Sequence, residues 1–160
     1  MDDSPRATSP LDRALALAYR AVGQRERTVA ELREILAARN VDQETADEVV
    51  EELRRAGMLD DARFARRYAA DKRELEQWGS RRIAGELRRR GIDADHVAAA
   101  VAERGHVDEI DTALLLLSKR LPGPFRDDRE RDRAWRLLVR RGYEPELAYE
   151  AVRAHERRVD

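Results

Sequence analysis

Shifted against itself by 51 residues, and again by the same step, the chain keeps its character at six positions in a row of columns. An internal period of this size constrains the fold more than any single motif, because it reports a repeated structural unit. Asn40, Gly91 and Gly142 share one column, which suits a left-handed residue just past a helix end. Leu36, Leu87 and Leu138 stand four residues earlier, and Val41, Ile92 and Tyr143 one later. Asp42, Asp93 and Glu144 follow, then Ala46, Val97 and Ala148, then Val50, Val101 and Val152.

Local punctuation divides each repeat into three helices. Ser9 and Pro10 open a helix with proline at its first position, and Gly23 is expected to stop it. Thr28-Val29-Ala30-Glu31 reads as a capping box, in which hydroxyl and carboxylate satisfy each other's exposed amides. Asn40 ends that helix, and Asp42 caps a third running to Gly57. With Asp60 as N-cap, Leu59 and Phe64 fall at the positions of a hydrophobic staple, opening the second repeat. Its further helices start near Gly79-Ser80 and at Asp93, the last reaching Arg104. The third repeat runs from Asp108, breaks at Leu121-Pro122-Gly123-Pro124, resumes near Asp127, and opens its last helix at Glu144-Pro145. No stretch alternates as a strand does.

The expected fold is therefore all-α: three tandem three-helix repeats in an elongated, curved array. Residues 1–9 are expected to form a flexible tail, 10–57 the first repeat, 58–105 the second and 106–160 the third. Charged residues make up 41% and aromatics 5% of the chain, which suits small units with modest private cores. An array of that kind presents a long surface to another long object and encloses no small substrate.

Several chemistries lack their residues. There is no cysteine, so disulfides and thiolate catalysis are excluded, and a cytoplasmic location fits. The longest apolar run, Ala113 to Leu117, lies between Asp111 and Lys119, so no membrane partner is expected. The acidic start Met1-Asp2-Asp3 does not read as a signal peptide. His96, His106 and His155 are scattered, without metal-ligand spacing. Asp60-Asp61 reads as a helix start rather than a catalytic pair. No glycine-rich loop followed by lysine is present to cradle a nucleotide. No enzyme activity, metal or cofactor is expected.

Charge is the informative signal. The formal net charge is −1, so any contact with a polyanion must come from segregated charge. Between Arg63 and Arg90 ten basic residues face four acidic ones, with Tyr68 and Trp78 interleaved. Arg63, Arg66 and Arg67 fall near one helix face, with Arg73 further on. Arg81 with Arg88, and Arg82 with Arg89, are seven apart and share faces of the next helix. The competing reading is a solvated surface with intrahelical pairs such as Glu86 with Arg90, and Trp78 and Trp135 as core. Arg133, Arg136, Arg140 and Arg141 make a further basic run, whereas Glu44, Asp47, Glu48, Glu51 and Glu52 make the first repeat acidic. A partner of alternating charge fits this distribution better than naked DNA. A stand-alone nucleic-acid-binding module and a helical-repeat adaptor for a partner peptide both remain compatible with the residues alone.

Two segments carry a family resemblance. Leu59-Asp60-Asp61-Ala62-Arg63-Phe64-Ala65-Arg66-Arg67-Tyr68 resembles the L-D-D-x-x-F-A-x-x-Y segment of RecX regulatory proteins. Gly79-Ser80-Arg81-Arg82-Ile83-Ala84-Gly85-Glu86-Leu87-Arg88-Arg89-Arg90-Gly91-Ile92 is similar to that family's G-x-x-R-I-x-x-E-L-x-x-x-G-I stretch. The resemblance extends more weakly over residues 11 to 156, and three tandem three-helix repeats are also that family's architecture. It implies a monomeric regulator that binds in the groove of the RecA–single-stranded DNA filament and modulates ATP hydrolysis, filament extension and strand exchange, hence recombination, repair and the SOS response. On that reading the partner-binding residues are Arg63, Arg66, Arg67, Tyr68, Lys72, Arg81, Arg82, Arg88 and Arg89. Leu59, Asp60, Phe64, Ile83, Leu87 and Gly91 hold the fold. Asn40 departs from the glycine of the other repeats, and the Pro-Gly-Pro loop is less typical of the family.

Overall fold

The computed structural model describes residues 8–159. Among them nine helices and no strand occur: α1 (Pro10–Gln24), α2 (Val29–Ala37), α3 (Gln43–Arg55), α4 (Asp61–Glu76), α5 (Ser80–Arg89), α6 (Ala94–Ala102), α7 (His106–Arg120), α8 (Asp128–Arg140) and α9 (Pro145–Val159). The chain divides into two compact units, one through Phe64 with Arg90–Ile92, the other Ala65–Arg89 with Asp93 onward.

In the first unit, α1 and α2 each begin with a complete capping box. Ser9 and Asp12 exchange hydrogen bonds of 3.0 and 3.1 Å, and Thr28 and Glu31 bonds of 3.1 and 3.2 Å. Of the tail expected over residues 1–9, residues 1–7 lie outside the described residues, and Ser9 is the α1 cap. Gly23 does not stop α1. The helix continues through Gln24 and ends where Arg25 turns extended, since an exposed glycine weakens a helix without forcing an end. Ala14, Ala18, Leu32, Leu36, Val49, Val50, Leu53 and Leu59 form the core. Small alanines on α1 let α3 approach closely, and the helical spacing of the apolar residues sets which faces meet.

Thr28 is wholly buried because its hydroxyl works twice. It accepts from the Glu31 amide and donates to the Arg90 carbonyl at 3.0 Å. Gly91, at φ 81°, rests so close to α2 that a Cβ there would lie 2.4 Å from the Ala30 Cβ. Asp61, expected as part of a helix start, also accepts from the Val29 amide at 2.9 Å and so helps to cap α2.

The second unit packs α7, α8 and α9 around Ala113, Leu116, Leu117, Ala134, Leu138, Tyr143, Leu147 and Ala151. α7 starts at His106, two residues earlier than expected, with Gly105 at its N-cap. Gly142, at φ 93°, repeats the close approach of Gly91. A Cβ there would lie 2.3 Å from the Arg82 Cβ and 2.5 Å from the Arg82 amide nitrogen. The two strips of backbone are joined by hydrogen bonds from the Gly79 amide to the Arg141 carbonyl (2.9 Å) and from the Arg81 amide to the Gly142 carbonyl (3.0 Å). Tyr143, fully buried, donates to the Gln77 carbonyl at 2.8 Å. Gln77 itself is left-handed at φ 50°, ending α4 without a glycine. Trp78 is buried, in line with its reading as core.

Candidate functional site

The basic residues between Arg63 and Arg90 separate into three groups once their neighbours are known. α5 buries Ile83, Ala84 and Leu87. With 3.6 residues per turn this leaves Arg81, Arg82, Gly85, Arg88 and Arg89 exposed on the opposite side. Arg81 meets Glu144 at 3.5 Å and Arg89 pairs with Glu86, both in solvent where such pairs are weak. Arg88 makes no ion pair among the described residues. The intrahelical pair of the competing reading, Glu86 with Arg90, does not form, because the Arg90 guanidinium turns instead to Glu31.

α4 buries Phe64, Ala65, Ala69 and Arg73. Arg66 and Arg67 are exposed, and Arg66 meets Glu103 at 3.5 Å. Arg63 is half-buried: it donates to the Gly57 carbonyl at 3.0 Å and lies 3.7 Å from Glu26. Arg73 is 5% exposed and works inside the fold, donating to the carbonyls of Val101 at 2.8 Å and Ala100 at 3.3 Å. These are last-turn carbonyls of α6, which helix geometry leaves without partners, so the buried guanidinium satisfies them. Burial depresses the Arg73 pKa, but a guanidinium stays charged at neutral pH.

The third group is a cluster at the end of α4. The Lys72 ammonium lies 4.7 Å from the Trp78 ring centre and 5.6 Å from that of Tyr68. The Arg82 guanidinium covers Trp78 at 3.9 Å, within cation–π range. Lys72 is also hydrogen-bonded to Glu76; this bond raises the Lys72 pKa and lowers that of Glu76, so both remain ionised across the neutral range. Arg141, at the C-terminal cap of α8, donates to the Glu76 carbonyl at 2.9 Å. Tyr68, Lys72 and Arg82 are thus brought together, while Arg63 turns toward the first unit's own Glu26 and Gly57. Sequence reasoning noted Arg141 only as part of a later basic run, and gave Glu76 no role. The available signal was position: Arg39, Arg90 and Arg141 form one column immediately before the left-handed residues.

Elsewhere, an open cleft of about 450 Å³ lies between α8 and α9, lined by Trp135, Tyr149, Arg153 and Glu156 among others. The Trp135 indole N–H is spent on the Pro145 carbonyl at 3.0 Å. Among the described residues no helix is long and apolar enough to cross a membrane.

Comparison with known proteins adds the relatives. The model of the first three-helix domain of RecX matches residues 14–53, and that of the second matches residues 60–101. A regulatory protein RecX from Deinococcus radiodurans is 37% identical over 87% of this chain, which spans 66% of that relative. The one from Thermobifida fusca is 35% identical, with 88% and 77% of the two chains covered. The one from Mycolicibacterium vanbaalenii is 32% identical over 95% of this chain and 87% of its own. The crystal structure of RecX from Lactobacillus salivarius superposes with a TM-score of 0.83 at 15% identity, covering 92% of this chain and 97% of that one. A second crystal structure of a regulatory protein RecX gives 0.76 at 19% identity, covering 91% and 73%. At those identities the two structures speak for the fold alone.

Proposed function

The chain belongs to the RecX family of regulatory proteins, and from that premise we propose that it binds the RecA–single-stranded DNA filament in the cytoplasm as a monomer and inhibits RecA ATP hydrolysis, filament extension and strand exchange. The observation that carries this reading is the outer side of α5. Four arginines stand exposed around Gly85: Arg81 and Arg89 in ion pairs that solvent already weakens, Arg82 over the Trp78 ring, and Arg88 with no ion pair among the described residues. Such pairs exchange at little cost for a partner's carboxylate or phosphate, and the planar guanidinium grips either in two places.

The proposed partner-binding residues are Arg81, Arg82, Arg88 and Arg89 on α5, Arg66, Arg67, Tyr68 and Lys72 on α4, and Arg63. Arg63 is the least available, because its guanidinium already serves the Gly57 carbonyl. The test is RecA ATP hydrolysis on single-stranded DNA with this protein titrated well below the RecA concentration. A strong drop at a small fraction of RecA supports filament binding. No effect with intact DNA binding replaces this reading with a stand-alone nucleic-acid module, and no effect on either replaces it with an adaptor.

A further inference from the structure

The repeats allow one part of the molecule to be compared with another. In each of two joints, the backbone just past one helix rests on the first turn of another. Gly91 sits against Ala30 on α2, and Gly142 against Arg82 on α5. An arginine precedes each glycine, Arg90 in the first joint and Arg141 in the second. The third residue of the underlying helix is Glu31 in the first and Arg82 in the second, 51 positions apart.

That substitution inverts the charge at one place in the architecture. In the first joint two donors of Arg90 converge on one Glu31 oxygen, at 3.0 and 2.9 Å. The other Glu31 oxygen accepts from the Thr28 amide at 3.2 Å, and Arg25 lies within 3.5 Å. The first joint therefore carries its own oxyanion. In the second joint Arg82 and Lys72 lie over the Trp78 ring, at 3.9 and 4.7 Å from its centre, and Arg141 donates to the Glu76 carbonyl at 2.9 Å. Lys72 is hydrogen-bonded to the one carboxylate there, Glu76, and the charges of Arg82 and Arg141 also act on it. Arg82 makes no ion pair and no side-chain hydrogen bond among the described residues.

We infer that the second joint is an anion site, in which a phosphate of a nucleic-acid strand takes the place that the Glu31 carboxylate fills in the first. This deepens the filament reading and rests on it, since it makes the strand inside the filament a direct contact of this chain. The cations favour phosphate over a partner's carboxylate. They come from three separate segments (α4, α5 and the end of α8), and a tetrahedral group offers oxygens on several sides to such a set, whereas a planar carboxylate would be satisfied by one guanidinium fork. Trp78 is the positioning residue. Its ring lies 3.9 Å from the Arg82 guanidinium, within cation–π range, and so restrains where that cation sits.

The test uses the full chain without RecA and a fluorescent oligothymidylate, with binding read by anisotropy across a salt series. Arg82→Glu rebuilds the internal pair of the first joint, now with Arg141. It is expected to weaken binding at least tenfold and to lower the salt exponent by roughly 0.7 or more, the loss of one or more phosphate contacts on a single strand. It should leave the thermal midpoint unchanged or raised, which a merely structural arginine would not do. Glu76→Gln should tighten binding, and Arg141→Lys should keep most of the salt exponent that Arg141→Gln loses. The inference is overturned if Arg82→Glu lowers the thermal midpoint without weakening binding, or if Glu76→Gln and Arg141→Gln leave the salt exponent unmoved. It is equally overturned if polyglutamate displaces the oligonucleotide from the wild-type chain more effectively than tripolyphosphate does. Inhibition of RecA by a variant that has lost oligonucleotide binding would retain the filament reading while removing this site.

Discussion

Replacing three glycines by alanine, one at a time, separates backbone conformation from close contact at the joint between α5 and the turn after α8. Gly57 is left-handed at φ 70°, and a Cβ there would meet nothing within 4 Å. Gly57→Ala thus carries only the left-handed penalty of roughly 1–2 kcal/mol, partly offset by a stiffer unfolded chain, for a net loss near 1 kcal/mol. Gly79 has no such conformation, but its Cβ would lie 2.4 Å from the Gly142 carbonyl carbon and oxygen and from the Tyr143 nitrogen. All three are backbone atoms that cannot rotate away. Prying the strips apart adds overpacking of about 1–3 kcal/mol. It also loosens the bonds from the Gly79 and Arg81 amides, each worth about 1 kcal/mol. Gly79→Ala should therefore cost about 3–5 kcal/mol.

Gly142→Ala combines both penalties, because φ is 93° and the new Cβ would lie 2.5 Å from the Arg82 amide nitrogen. A loss of about 4–6 kcal/mol follows, a large part of the roughly 5–15 kcal/mol by which domains are stable. The assay is urea unfolding at 25 °C, followed in parallel by far-ultraviolet circular dichroism and by tryptophan fluorescence, since Trp78 lies beside the joint. The expected order of midpoints is wild type, Gly57→Ala, Gly79→Ala, Gly142→Ala. A Gly142→Ala protein no less stable than Gly57→Ala would refute the close approach, and with it the placement of Arg141 against Arg82.

Tyr143→Phe leaves the buried Gln77 carbonyl without its donor and should cost about 1–3 kcal/mol in urea unfolding. Burial raises the Tyr143 pKa above its ordinary value of 10.0, so the folded state holds a proton that the unfolded state releases first. Stability is accordingly full below pH 10 and falls as pH rises beyond it, and Tyr143→Phe should flatten that alkaline decline. Arg73→Met keeps the aliphatic stem but orphans the Ala100 and Val101 carbonyls, so about 2–4 kcal/mol should be lost, with amide exchange speeding up first in α6. Arg81→Glu combined with Arg88→Glu reverses charge on the outer side of α5, where both side chains face solvent. Helicity should be unchanged while RecA inhibition weakens several-fold; undiminished inhibition would remove α5 from the partner-binding face.

What the sequence discloses divides along the range of the interactions. The starts of α1 and α2 are readable because Ser9 with Asp12 and Thr28 with Glu31 are three residues apart, so each cap is a purely local bond. The left-handed turns at Asn40, Gly91 and Gly142 are readable for the same reason, and the period carries them through the chain. The site is less readable because its partners are distant. Counting charge from Arg63 to Arg90 weighs ten cations alike, yet Arg73 is enclosed under α6 and Arg90 is neutralised by Glu31, 59 positions away. Arg141 reaches Glu76 across 65 positions, and no pattern of spacing announces that. The pair of Glu86 with Arg90 that belongs to the competing reading fails for this reason too, since spacing alone does not weigh a four-residue neighbour against a half-buried acid from another helix. Yet the exchange of Glu31 for Arg82 stands in plain view in the 51-residue alignment. It acquires meaning only when Gly91 and Gly142 are seen to rest on the helices that bear those residues: a column is then a place in space, and a change of sign within it marks where one repeat has surrendered an internal partner and can accept an external one.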